Sequence, residues 1–259
     1  MKTYQDLKEH SLGMIAFFET SSTYPDCYGI TSPNWDGAGI SHGVLQYNFG
    51  TGSLQPLWNH MNNNHNQLCR DIFGTDYTEW ANIINATLSA QQTFGNDIMS
   101  PTNDHKCIEP WNTYFMNLGT SQPSIDKQID MSNSWHTNAL KWFNNLGLFS
   151  RRGYALMFDI SVQMGRFFPQ HLCLRDFRLI DPTGKTRAQI EEEKCRIILK
   201  YVWNGNNRCF NTTSVPNMQT IVKDRKTAVV DGTSVQGFNI NIYDLSYNDP
   251  AFRGGILSG

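Results

Sequence analysis

Two acidic residues near the start of the chain stand in settings that push a carboxyl group in opposite directions. Glu19 follows the apolar run Met14-Ile15-Ala16-Phe17-Phe18, whereas Asp36 lies in the polar, glycine-rich stretch Asn34-Trp35-Asp36-Gly37-Ala38-Gly39. Burial raises the proton affinity of a carboxyl group and polar surroundings keep it ionised, so the pair divides into a proton donor and a proton acceptor. Glycosidic-bond cleavage needs that division. A protonated carboxyl gives its proton to the leaving oxygen, while an ionised one activates water or stabilises positive charge on the sugar. Ser41 can help hold such a water, and Gly37, Gly39 and Gly43 let backbone and sugar approach closely. The same residues also fit a plain helix end and a turn-opening aspartate, both of which are common.

The elements that position these groups can be read from periodicity. Thr3 caps a first helix with Asp6 at its third position, and Leu7, Leu12, Ile15 and Phe18 recur at helical spacing up to Glu19. A second helix is expected from Ser53 to Phe73 with Gly74 as its stop. Further helical patterns cover 76–93, 104–118, 123–146, 151–165 and 186–203, the last opening on the capping-box pair Thr186 and Gln189. Strand signals are sparse. The clearest is the stretch 227–245, read as a late hairpin with Asp231-Gly232 at the turn and Phe238, Ile240 and Ile242 alternating. No fixed-period repeat and no low-complexity linker interrupts the chain, so a single mostly helical domain over 1–259 is expected.

Composition narrows the function classes. A chain of 259 residues with 39% hydrophobic and 12% aromatic residues can bury a sizeable core, and its mean hydropathy of −0.45 excludes a membrane-spanning or disordered chain. A formal charge of −2 leaves no overall field to collect nucleic acid or anionic lipid. The six cysteines, Cys27, Cys69, Cys107, Cys173, Cys195 and Cys209, form no Cys-x-x-Cys pair and read as buried thiols. The N-terminal stretch carries Lys2, Asp6, Lys8, Glu9 and His10 before a short apolar run, unlike a secretion signal. The expectation is synthesis in the cytoplasm, with the sequons at Asn85 and Asn211 as chance matches.

Other constellations carry weaker signals. His60 and His65 are five apart on one expected helix and point to different faces, so a shared metal with Cys69 is not expected. The run Glu191-Glu192-Glu193-Lys194 reads as a solvated helix face. Gly50 to Gln55 leads into a helix but lacks the lysine of a phosphate-binding loop.

Two segments carry a resemblance. Glu19-Thr20-Ser21-Ser22, followed after a loop by Ser41-His42-Gly43-Val44-Leu45-Gln46, resembles the lysozyme-like superfamily pattern of goose-type lysozymes and lytic transglycosylases, in which a catalytic Glu-Ser precedes a GLMQ-type helix start. The stretch from Asp36 to Leu57 resembles the segment of bacterial chitosanases in which a catalytic Asp opens a turn that runs on to Gly-Thr-Gly and a helix. By that resemblance Glu19 is the general acid, Asp36 the general base, and Ser41 the hydroxyl that helps position water. His42, Gln46 and Tyr47, next to that turn, are the implied substrate-binding residues. Two later stretches, Gly153 to Gly165 and Asp224 to Gly237, are also similar to chitosanase segments. They nominate Asp159 and Arg225 as a network that supports the acid, with Arg196 and Arg208 competing for the arginine role.

The resemblance implies a mainly α (α+β), two-lobed lysozyme-like fold with a small β ribbon and a cleft between the lobes. It implies a peptidoglycan hydrolase of muramidase type that cleaves β-1,4 bonds with inversion, monomeric and without metal or cofactor. Gln46 has a counterpart in peptidoglycan-cleaving relatives but not in chitosanases, which points the substrate towards N-acetylated glycan. Asp36 argues for hydrolysis over anhydro-sugar formation, and inversion asks for carboxyl groups about 6.5–9.5 Å apart. Such a chain would act at the bacterial cell wall after release or delivery, like a phage endolysin or a secreted effector. A chitosanase is the second expectation, and a catalytically silent glycan-binding or phage structural component the third.

Overall fold

The computed structural model describes residues 4–165, 167, 169–203, 216–232, 234–235, 238–239 and 246. These are mainly helical, with three small antiparallel sheets. The fold class is thus mainly α with short β ribbons, as expected. Two compact units divide the chain, one formed by Ile15–Ser132 and the other by Met1–Met14 with Asn133–Gly259. Thr3, the expected first cap, lies outside the described residues.

Helix α1 (Tyr4–Thr20) crosses the boundary and gives its last turns to the 15–132 unit. Leu12, Met14, Ile15 and Ala16 are fully buried along it. The helix ends where Ser21 takes a left-handed backbone with φ 56°, and the Ser21 N–H donates to the Phe17 carbonyl at 2.8 Å. A three-stranded sheet follows, built from β1 (Thr31–Ser32), β2 (Ser41–His42) and β3 (Tyr47–Asn48) in that order. Thr31 pairs with His42, and Ser41 with Asn48.

The helix expected over 53–73 is two helices, α2 (Leu54–Asn64) and α3 (Asn66–Phe73). The break falls at His65, with φ −131° and ψ 37°, directly after Asn62-Asn63-Asn64. Asparagine amides compete for backbone groups and weaken a helix interior, which explains why the apolar periodicity alone overran this point. Gly74 does end α3, with φ 53° and its N–H on the Arg70 carbonyl. The pattern over 76–93 likewise divides into α4 (Tyr77–Ile83) and α5 (Leu88–Asp97), with the Thr87 hydroxyl accepting from the Ala90 N–H to start the latter.

The helix expected over 104–118 begins instead as a strand. β4 (Met99–Ser100) pairs with β5 (Asn103–Cys107), and only then does α6 (Trp111–Thr120) start, followed by α7 (Gln122–Met131). The core of this unit is aromatic. Trp58 stacks on Phe115 at 5.3 Å and Phe73 on Trp80 at 4.4 Å, and all four side chains are fully buried. Each contributes roughly 1.5–3 kcal/mol by burial, plus about 0.5–1.5 kcal/mol per well-oriented ring pair.

The other unit holds α8 (Asn133–Asn145), α9 (Arg151–Met164), α10 (Gln170–Phe177), α11 (Arg187–Trp203), α12 (Pro216–Asp231) and the hairpin of β6 (Ser234–Val235) with β7 (Phe238–Asn239). Helix α9 lies at its centre, buried from Arg151 through Ser161. Both of its ends follow from sequence. The Ser150 hydroxyl accepts from the Gly153 N–H, and Gly165 closes it in the left-handed region at φ 60°. The capping box of α11 forms reciprocally between Thr186 and Gln189. The late hairpin is shifted from its expected place: Thr227–Asp231 belong to α12, which Gly232 ends, while Ile240 and Ile242 lie outside the described residues. Helices α10 and α12 had no clear signal in the sequence.

Candidate active site

Glu19 and Asp36 both belong to the 15–132 unit. Glu19 is half-buried on the last turn of α1, one residue before its end at Thr20. The Thr20 hydroxyl donates back to the Ala16 carbonyl at 2.6 Å and fixes that turn. Asp36 is exposed in the loop between β1 and β2, where its Oδ1 accepts from the Ala38 N–H at 2.9 Å in an Asx turn.

The Asp36 loop is held on several sides. Asn34 accepts from the Gly39 N–H at 2.6 Å and donates to Asn96 Oδ1 on α5 at 2.9 Å. Gln92, also on α5, donates to the Gly37 carbonyl at 2.7 Å. The Gly50 N–H closes the far side on the Ala38 carbonyl at 2.7 Å. A side chain at Gly95 would strike Asn34 Cβ at 2.9 Å, so the glycine lets α5 come this close. Ser41 follows on β2 and is 8% exposed.

The three residues expected to touch substrate are placed differently from that expectation. His42 is fully enclosed, packed near Trp58 and Phe115, with Nδ1 2.7 Å from the Thr31 hydroxyl. Burial pushes its imidazole down to about 3, so it is a neutral core residue. Tyr47 is 2% exposed and its hydroxyl donates to the Gln128 carbonyl at 3.1 Å, with burial raising its proton affinity. On a strand buried on one face, alternate residues point inward, and here the inward set includes His42 and Tyr47. Gln46 is half-buried with φ 50°, and its amide donates to the carbonyls of Gly43 at 2.9 Å and Ile30 at 3.4 Å. Its side chain closes the β2–β3 turn.

Gln128, which no sequence signal singled out, fastens this hairpin. The side chain is fully buried on α7. Its Oε1 accepts from the Val44 N–H at 2.9 Å, and its Nε2 donates to the Tyr28 carbonyl at 3.0 Å and to the Ser124 hydroxyl at 3.2 Å. Gly43 is required here, since a Cβ would lie 2.1 Å from Gln128 Oε1 and the backbone has φ 81°.

Asp159 and Arg225 meet in the other unit. Asp159, fully buried on α9, accepts from Arg225 Nε at 2.6 Å and from Lys226 Nζ at 2.6 Å. Burial alone would raise its carboxyl, but Arg225 and Lys226 outweigh that and hold it below the ordinary range. Lys226 also bonds Gln163, and it is the member of this cluster the sequence reading missed. Arg196 pairs with Glu192 and Asp231, and Arg208 lies outside the described residues.

Two other groups differ from their sequence expectation. The helix break at His65 brings its ring within 5.4 Å of His60, beside a cavity of about 410 Å³ lined also by Asp126, Lys127 and Asp130. Among the described residues no group of three or more His, Cys, Asp or Glu is arranged to hold a metal ion. Glu191 is 1% exposed rather than on a solvated face. Its Oε1 accepts from the N–H groups of Phe149 and Ser150 and from the Ser150 hydroxyl, all at 2.9–3.0 Å, at the start of α9.

No family model matches the chain, and no curated protein matches it. Two solved structures are similar over 93% of this chain and 93% of theirs, both at 14% identity. One is a mutant chitosanase from Bacillus subtilis MY002 complexed with 6 GlcN, with a TM-score of 0.48. The other is the native chitosanase from the same source, with a TM-score of 0.47. At this level the likeness assigns no role to any residue.

Proposed function

We propose that the chain is a β-1,4-glycosidase acting on an amino-sugar polymer, with Glu19 as general acid and Asp36 as general base. The observation that carries this reading is the contrast between the two carboxylates of one unit. Glu19 sits half-buried at a helix end, and Asp36 stands exposed in a turn clamped by Asn34, Gln92 and Asn96. A water-activating carboxylate needs access to solvent and a fixed direction, and the Asx turn with α5 behind it supplies both. Ser41, on the strand that follows, is the candidate for the second contact to the water. Asp159, Arg225 and Lys226 form a buried ion cluster that ties α9 to α12 within the other unit.

Peptidoglycan is the first substrate to test and chitosan the second. The Gln46 amide, one ground for an N-acetylated glycan, is engaged with the Gly43 and Ile30 carbonyls, which favours testing chitosan alongside. Purified peptidoglycan and chitosan are incubated separately with the protein, and new reducing ends are counted. The anomer released first is read by proton NMR. Inverted product from either polymer supports the scheme. Anhydro-sugar ends move the protein to the transglycosylase side, and binding without new ends makes it a silent glycan-binding protein.

A further inference from the structure

Trp35 is 51% exposed, although it carries one of the largest apolar surfaces a side chain can offer. It immediately precedes Asp36, and consecutive Cα atoms stand about 3.8 Å apart. The ring is not on a loose tip. The Asn34 side chain beside it is tied to Asn96 and to the Gly39 N–H, and Gln92 holds Gly37 two residues on. His105, on β5, sets its ring 4.5 Å from the indole at 55°. An exposed indole fixed by its own loop and supported by a second ring is a preorganised flat surface, and preorganisation lowers the ordering cost of binding.

We propose that Trp35, backed by His105, is a stacking platform for one pyranose ring of a β-1,4-linked amino-sugar chain and sets that chain beside Asp36. The inference rests on the glycosidase reading above. A β-linked pyranose with equatorial substituents turns axial C–H groups to both faces, and such a face covers an indole without leaving a hydroxyl unsolvated. Where the sugar carries a protonated amine, the negative face of the indole attracts it as well. Trp35 is therefore a binding residue, next to a catalytic carboxylate but without a part in proton transfer.

The test uses the Glu19→Gln protein, which on this reading binds without cleaving. It is titrated calorimetrically with the hexamers of β-1,4-linked glucosamine and of N-acetylglucosamine, and with solubilised peptidoglycan strands. Adding Trp35→Ala should raise Kd by about tenfold for whichever of these the parent binds, the size of one good aromatic contact. Trp35→Phe should recover most of the loss, and Tm should move little because the residue is 51% exposed. A larger loss of affinity for the glucosamine hexamer than for the N-acetylated one identifies the amine as part of the contact, and equal losses assign it to the C–H face alone; both support the platform. Unchanged Kd in Trp35→Ala, with a parent that binds, overturns the platform and leaves the glycosidase reading intact. Failure of the parent to bind all three ligands overturns both.

Discussion

If Glu19, Asp36 and Ser41 act as the proposed acid, base and water-holding hydroxyl, removing each should give a different loss, because each is replaceable to a different degree. Glu19→Gln should abolish turnover, since on this reading it removes the proton donor to the leaving oxygen, while folding survives the near-isosteric change. Asp36→Asn should cost about 10²–10⁴ in kcat, the usual size of general-base effects, and Ser41→Ala about 10–100-fold, because the aspartate still holds the water. Reducing-end assays on the three variants check this order, and an active Glu19→Gln would remove the assignment. Gln46 belongs to another class. With its amide on the Gly43 and Ile30 carbonyls, Gln46→Ala should lower stability by about 1 kcal/mol and leave KM unchanged. A raised KM with unchanged Tm would return it to the substrate.

At the scale of elements, the β2–β3 hairpin is only as firm as its anchor on α7. Gln128→Ala removes three hydrogen bonds in a fully buried place and leaves the Val44 N–H and the Tyr28 carbonyl without that partner. Each such loss costs about 1–3 kcal/mol, so a loss of about 2–6 kcal/mol in denaturant unfolding is expected, with Gln128→Glu also impaired because it loses the Nε2 donor. A change below about 0.5 kcal/mol would mean the hairpin stands without α7. This anchor also marks what the sequence leaves unsaid. Ends of helices were legible where one residue decides locally, as with the Thr186–Gln189 box for α11 and Gly74 for α3, and the span of α9 was read without its Ser150 cap being singled out. The interruptions at His65 and after Ile83 were not, because apolar spacing continues across them while the backbone turns. Inward and outward faces of two-residue strands were also hidden, since so short a stretch has no alternation to read. That is why His42 and Tyr47 looked like cleft residues. The tether between positions 43 and 128 is a long-range contact with no local trace, whereas the Glu19 helix end and the Asp36 turn were readable from their immediate neighbours.

Across the whole molecule, acid should act through two buried histidines, one in each unit. His42 lies among Trp58 and Phe115, and His136 stacks on Phe158 at 3.9 Å with Nδ1 2.9 Å from the Tyr154 hydroxyl. Burial pushes both imidazoles from 6.5 down to about 3, with Lys8 adding to the effect at His136. A base whose affinity is lowered by folding binds protons first in the unfolded chain. The stability gained by keeping it neutral is therefore complete above pH 6.5 and is lost as pH falls from there towards 3. Each histidine contributes a slope of up to about 1.4 kcal/mol per pH unit in that window. Asp159, held low by Arg225 and Lys226, adds its own loss only at more acidic pH, as it takes up a proton. Denaturant unfolding between pH 7 and pH 4, followed by far-ultraviolet circular dichroism, should show this decline. His42→Gln and His136→Gln will each start from a lower stability at pH 7 but should each remove one histidine's share of the slope. If the units unfold separately, two transitions appear and each variant flattens only its own. If they unfold together, either variant flattens the single transition by about half. A double variant with the full slope would show that other groups, and not these two imidazoles, set the acid limit of the fold.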